Sequence, residues 1–154
     1  RIHRRNHKND RGMTIEAIEQ EIIDEFANFE DWMDKYAYII ELGQECPLID
    51  ERDKTEANLI KGCQSRVWVS ATLKDGLMDI KADSDAVITK GIITLLLRVF
   101  NFQKPEDVYA ADLKFIDTIG LSSHLSPTRS NGLLSMIKQI KLYALAFTLQ
   151  QKQS

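Results

Sequence analysis

Two cysteines in 154 residues, Cys46 and Cys63, are too few for a disulfide framework. Only one bridge is possible, and with no apolar signal core after the basic first residues, reduced thiols are the expected state. The chain also lacks a glycine-rich phosphate loop, a Ser-His-Asp set and an HExxH motif, which removes the signatures of nucleotide-loop, triad and zinc-protease chemistry. Of the three histidines only His124 lies in the body of the chain. A metal site would have to draw on it together with Cys46 and Cys63, and two cysteines seventeen residues apart with one distant histidine lack the workable spacing of a three- or four-ligand site, so no metal is expected. Gly91 to Leu97 is an uncharged apolar stretch far shorter than the ~20 residues of a membrane helix. No membrane partner is expected, and the protein reads as soluble and cytoplasmic. Internal repeats and low-complexity segments are absent.

What is present is ordinary for one globular domain: 44% hydrophobic and 28% charged residues, enough chain to bury a real core. The net charge of −3 hides an asymmetry. Residues 1–12 hold five basic residues (Arg1, Arg4, Arg5, Lys8, Arg11) and one acid, a net of +4, which leaves −7 for residues 13–154. An acidic body argues against a nucleic-acid partner. Residues 1–12 show no apolar periodicity and read as an extension outside the fold, disordered or non-native, with a basic nucleic-acid arm as the functional alternative. The folded domain is expected over 13–154.

The spacing of Ile15, Ile18, Ile22, Phe26 and Phe29 predicts a helix from Thr14, with Glu16, Glu19, Glu21 and Glu25 filling its other faces. A second helix starts near Asp31 with Trp32, Tyr36, Ile39 and Ile40 inward, and stops at Gly43, the residue best able to turn left-handed. Gln44 to Lys54 is a loop broken by Pro47. From Val67 the period falls to two, Val67, Val69, Ala71 and Leu73 alternating with Arg66, Trp68, Ser70 and Thr72, which predicts a half-buried strand. Asp75-Gly76 suits a two-residue hairpin, Leu77 to Ala82 returns as a second strand, and Asn58 to Lys61 can add a third. Ser84 is the candidate N-cap of a core helix running to about Phe100, with Asp85 in its first turn. Pro105 opens a short helix, and Leu113 to Ile119 forms another that Gly120 ends. Ser126-Pro127 begins the last helix, with Leu133, Leu134, Ile137, Ile140, Ala144 and Phe147 inward and Lys138 and Lys141 outward. The fold class is therefore α+β, a single domain with a small antiparallel sheet of about three strands packed against several helices.

Cys63 is the strongest candidate for chemistry, on a loop just before an evident strand in Lys61-Gly62-Cys63-Gln64-Ser65-Arg66-Val67-Trp68. Lys61 and Arg66, or the amides of Gln64 and Ser65, can favour its thiolate, and Gly62 gives the loop backbone freedom. The bland alternative is a small core hydrophobe. Cys46 reads as a mutable loop cysteine. His124 is either a base or ligand, or a polar residue packing at a helix entrance. Trp68 is a partner hot spot if exposed and core if covered. Arg129 opposes the helix dipole near an N-terminus, which points to a tertiary or partner contact, a salt bridge to Asp85 being the plain version. Gly91, inside a core helix, implies close packing of another segment.

Four segments occur in the order and approximate spacing of the SufE family: Ile39-Ile40-Glu41-Leu42-Gly43, the Cys63 run, Asp83-Ser84-Asp85-Ala86 with Lys90-Gly91, and His124 to Leu133. The resemblance spans roughly Phe29 to Tyr143. It implies a SufE/IscU-like fold and a protein that is not itself an enzyme. Such a protein accepts sulfur as a persulfide on Cys63 from a pyridoxal-phosphate cysteine desulfurase of the SufS-like kind, and stimulates that enzyme. It then passes the sulfur to iron–sulfur cluster assembly through a SufB-like scaffold. The chain needs no cofactor of its own, the pyridoxal phosphate being the partner's. By the same resemblance Gly62, Gln64, Ser65, Arg66, Asp85 and Arg129 support the cysteine loop or the docking of the desulfurase. The alternatives are a scaffold binding metal or a nascent cluster through Cys63, Cys46 and His124, and a thiol-bearing adaptor without sulfur transfer.

Overall fold

Thr14 Oγ1 accepts from the Ala17 amide at 3.1 Å and opens α1 (Ile15–Phe26), whose Ile15, Ile18, Ile22 and Phe26 are buried. Asp31 does the same for α2 (Trp32–Leu42), accepting from Asp34 N–H at 3.0 Å. The computed structural model describes residues 12–153, so the expected N-terminal extension, Gly12 apart, lies outside the described residues. The hairpin β1 (Val67–Lys74) and β2 (Leu77–Ser84) pairs antiparallel from Val67 opposite Ser84 to Lys74 opposite Leu77. Its turn residues Asp75 and Gly76 have φ of 54° and 80°, the double left-handed turn that Asp-Gly favours. Then come α3 (Val87–Phe100), α4 (Pro105–Ala110), α5 (Phe115–Thr118), α6 (Leu121–His124) and α7 (Pro127–Lys152).

The core lies around α3, where every residue from Ile88 to Phe100 except Lys90 and Arg98 is buried. Helices α1 and α2, strand β2 and helix α7 pack around it. The α2–α3 crossing depends on glycine: a Cβ on Gly91 would lie inside the Ile39 carbonyl, and one on Gly43 would lie 3.0 Å from Gly91 N. Arg98, largely buried, pairs with Glu21 and Glu25 of α1, and Tyr38 of α2 donates to Glu25 at 2.6 Å, tying three helices together. Glu19 also turns inward, accepting from Phe115 N–H at 3.0 Å to hold the start of α5. Burial raises its carboxyl above the usual range, and the backbone amides of Phe115 and Lys114 act against that shift.

Several expectations are corrected. The sheet among the described residues has two strands. The segment expected as a third makes one bridge, Leu59 to Trp68, and one Ile60 N–H to Val67 C=O bond of 2.8 Å. The outer edge of β2 is closed instead by loop backbone from Pro47, Ile49, Phe102 and Gln103, and by the Asn101 amide, which bonds both backbone groups of Ile80. Gly43 is right-handed (φ −59°), so it serves close approach and not a left-handed turn. Ser84 ends β2, its Oγ accepting from Ala86 N–H at 3.2 Å, while the helix starts beyond Ala86. Asp85 therefore precedes α3. Leu134 is 64% exposed, and Met136 takes the buried place. Finally, α7 is long and apolar enough to cross a membrane by length and composition, which the reading of Gly91 to Leu97 passed over. Met136, Ile140 and Ala144 on it are buried within the domain.

Candidate functional site: a sheltered cysteine

Gly62, at φ +87°, turns the chain into Cys63 in a conformation that a side chain would strain, and a Cβ there would also press on Ser135 Oγ of α7 at 3.0 Å. The loop closes at its base on two contacts. Ile60 N–H bonds Val67 C=O, and Arg66 is pinned to Asp85, whose Oδ1 accepts from Arg66 N–H at 3.1 Å while its own amide donates to Arg66 C=O at 3.3 Å. Nearby, Asp83 holds Lys54 and Lys90 at 2.7 and 3.1 Å. Burial would raise Asp83, but the two ammonium groups and the Ser84 amide outweigh it and keep the carboxyl below the usual range.

Cys63 itself is half-buried in a shallow cleft between α3 and α7. Gly132 allows that approach. A Cβ there would meet Cys63 Sγ at 3.4 Å, and the sulfur lies 3.7 Å from the Gly132 carbonyl. Ile92 and Met136 give the cleft apolar wall, and Gln64 and Ser65 continue it from the loop. Val67, which opens the strand after the loop, is not among the lining groups. Thr89, Thr128 and Arg129 form the remaining side, and Arg129 Nη1 donates to Thr89 Oγ1 at 2.6 Å. The salt bridge from Arg129 to Asp85 does not form among the described residues.

Electrostatics in this state differ from expectation. Burial pushes the Cys63 thiol up, and no cation among the described residues counters it. Lys61 reaches Glu56 at 3.6 Å, and the Arg66 guanidinium lies over the Trp68 ring, 5.7 Å from its centroid. The free protein thus holds a protonated, half-covered thiol, not the cation-stabilised thiolate the loop sequence suggests.

The other candidates lie elsewhere. Cys46 does lie in the loop after Gly43–Glu45, but it is 6% exposed with Sγ 3.6 Å from the Ala82 carbonyl, and burial pushes it up to about 11, so this loop cysteine is part of the core. His124 stacks on Trp32 at 4.5 Å with Nδ1 2.9 Å from Gly120 O, packing α6 onto α2. Trp68 is half-buried beneath Lys54 and Arg66. Among the described residues no three His, Cys, Asp or Glu side chains converge to hold a metal, so Cys46, Cys63 and His124 are not brought together.

Thr89, Ile92, Gly132 and Met136 were not singled out by sequence reasoning, Gly132 being read only as part of the His124 to Leu133 run. One had a signal: a glycine inside a helix costs ~1 kcal/mol relative to alanine, and Gly132 marks a close approach for the reason Gly91 does. The Asp85 latch carries a prediction. In Asp85→Ala the Arg66 amide loses its acceptor, and alkylation of Cys63 in the free protein should rise roughly 2- to 10-fold, the equivalent of a net hydrogen bond of 0.5–1.5 kcal/mol. A maleimide time course measures it, and an unchanged rate would show that the latch does not restrain the loop.

The fold is shared with a solved structure described as the solution structure of a hypothetical protein from Thermus thermophilus. That match has a TM-score of 0.72 at 17% identity and covers 86% of this chain and 96% of that one. The family model described as "SufE: Fe-S metabolism associated domain" matches residues 20–144, a span that holds Cys63, the Asp85 latch and the Arg129 side of the cleft. The chain belongs to the SufE family and carries a domain associated with iron–sulfur metabolism.

Proposed function

We propose that the protein is a covalent sulfur carrier that accepts a persulfide from a cysteine desulfurase on Cys63 and passes it on to iron–sulfur cluster assembly. The observation that carries the reading is the placement of Cys63, a cysteine on a glycine-started loop, half-sheltered by two helices within the family domain. Transfer balances simply. After Cys63 loses its proton, its thiolate attacks the outer sulfur of the donor persulfide. The donor's sulfur–sulfur bond breaks, its cysteine leaves as thiolate, and Cys63 becomes Cys63–S–SH.

Burial sets the condition for that step. The thiol is kept protonated and half-covered in the free protein, so reaction requires the loop to leave the cleft or the donor site to supply a more favourable setting for the anion. The empty carrier thereby stays quiet toward stray disulfides and persulfides and becomes reactive on docking. Draining the donor persulfide speeds the desulfurase, so the protein acts as activator without being an enzyme. Pyridoxal phosphate belongs to the desulfurase, and the cytoplasm supplies the reducing setting the free thiols need.

Incubation with the cysteine desulfurase and free cysteine, followed by peptide mass spectrometry, should add ~32 Da, one sulfur atom, to the peptide carrying Cys63 and none to that carrying buried Cys46. Equal labelling of Cys46, or none on Cys63, would overturn the assignment.

A further inference from the structure

Thr89 sits on the core helix at 5% exposure with apolar neighbours Ile88, Ile92 and Ile93. Valine would fill that space with the same shape, so what threonine adds is the hydroxyl that receives Arg129 Nη1 at 2.6 Å. Arg129 is the third residue of α7, where the helix dipole opposes a cation. The Thr89 oxygen offsets that local disadvantage and holds the guanidinium on the cleft wall. Every other residue lining the cleft is uncharged. The remaining ionic groups around the loop are engaged elsewhere: Lys61 with Glu56, Lys90 with Asp83, Asp85 with the Arg66 amide, and Arg66 over Trp68.

We propose that Thr89 is a positioning residue that aims Arg129 into the cleft as counter-ion to the outer sulfur of a Cys63 persulfide. The proposal deepens the sulfur-carrier reading and rests on it. A neutral thiol needs no counter-ion, and Cys63 Sγ leans instead on the Gly132 carbonyl at 3.7 Å. Loading changes the chemistry. A sulfur–sulfur bond of ~2.05 Å carries the outer sulfur beyond Sγ, and a persulfide is a stronger acid than its parent thiol. An anion then forms where an unpartnered charge is costly, in the cleft whose wall also carries the Arg129 guanidinium. Held as an anion, the outer sulfur repels incoming thiolates, and the carried sulfur outlasts encounters with small thiols. The site thus distinguishes the loaded from the empty state: burial disfavours the thiolate, and Arg129 favours the persulfide anion.

The test loads the free protein with inorganic polysulfide, verifies loading by intact mass, and follows iodoacetamide alkylation of Cys63 against pH in the loaded and empty forms. The persulfide midpoint should lie well below the thiol midpoint. Thr89→Val should raise the persulfide midpoint by about one pH unit, a tenfold loss of anion at pH values below it, and leave the thiol profile in place. Thr89→Ser should restore the original profile, and Arg129→Gln should reproduce the rise. Coincident persulfide profiles for wild type and Thr89→Val, an equal shift in the thiol profile, a serine variant that behaves like valine, or failure of polysulfide to load Cys63 would each overturn the proposal. Should Thr89→Val not fold, a wild-type persulfide profile in Arg129→Gln would overturn it too. Because loading is chemical, a negative result leaves desulfurase labelling of Cys63 standing, while absent labelling with these profiles intact would count against the carrier reading alone.

Discussion

Cys63→Ser should unfold at the wild-type denaturant midpoint and yet give no stimulation of the cysteine desulfurase and no sulfur uptake. The side chain is half-buried at the edge of a cleft, in a loop whose shape is set by Gly62 and by the Asp85–Arg66 contacts, none of which involves the sulfur. Exchanging sulfur for oxygen there removes one weak contact, to the Gly132 carbonyl at 3.7 Å, which a hydroxyl can remake. The stability change should stay within about 1 kcal/mol. Chemistry responds in the opposite way. A serine hydroxyl cannot take sulfur from a persulfide by thiol exchange, so activation should fall to the background of the desulfurase alone. Residual stimulation above that background would mean that the carrier acts by docking and not by draining the persulfide.

Leu95→Ala should do the reverse. Leu95 is 1% exposed in the middle of α3, against which α1, α2, β2 and α7 all pack. Truncation there leaves a cavity that surrounding helices cannot close without shifting, and the expected loss is ~2–5 kcal/mol. For a domain of this size each kcal/mol lowers the midpoint by roughly 2–4 °C, so the thermal shift should be plain in a calorimetric scan. Below its lowered midpoint the variant should still accept sulfur on Cys63, because the cleft draws on other residues of α3. A Leu95→Ala protein of wild-type stability would show that the core is not centred where α3 places it.

The two variants mark different depths of legibility. Helices α1, α2 and α3, and the hairpin at Asp75-Gly76, can be read from the chain because their hydrophobic period and local turn chemistry agree with the side each one buries. Reading falters where one element meets several neighbours in turn. Along its 26 residues α7 faces the cysteine loop, α3, α4 and β1, so no single stripe describes it, and Met136 is buried where the spacing points to Leu134. Asn58 to Lys61 has the length of a strand, yet its chain turns at left-handed Gly62 after a single bridge.

Sequence alone determined the family and the α+β class, and it singled out Cys63 as the residue on which the proposed sulfur chemistry rests, because these readings follow from local pattern: period, turn residues, and a cysteine within a recognisable run. Only the tertiary structure decided the state of that cysteine. Lys61 and Arg66 stand close to Cys63 along the chain but spend their charge on Glu56 and Trp68. The helices that cover the sulfur come from residues 26 to 73 positions away, Thr89 and Ile92 on one side, Gly132 and Met136 on the other. Charge stabilisation and burial act through space over a few ångströms, and separation along the chain does not measure that distance.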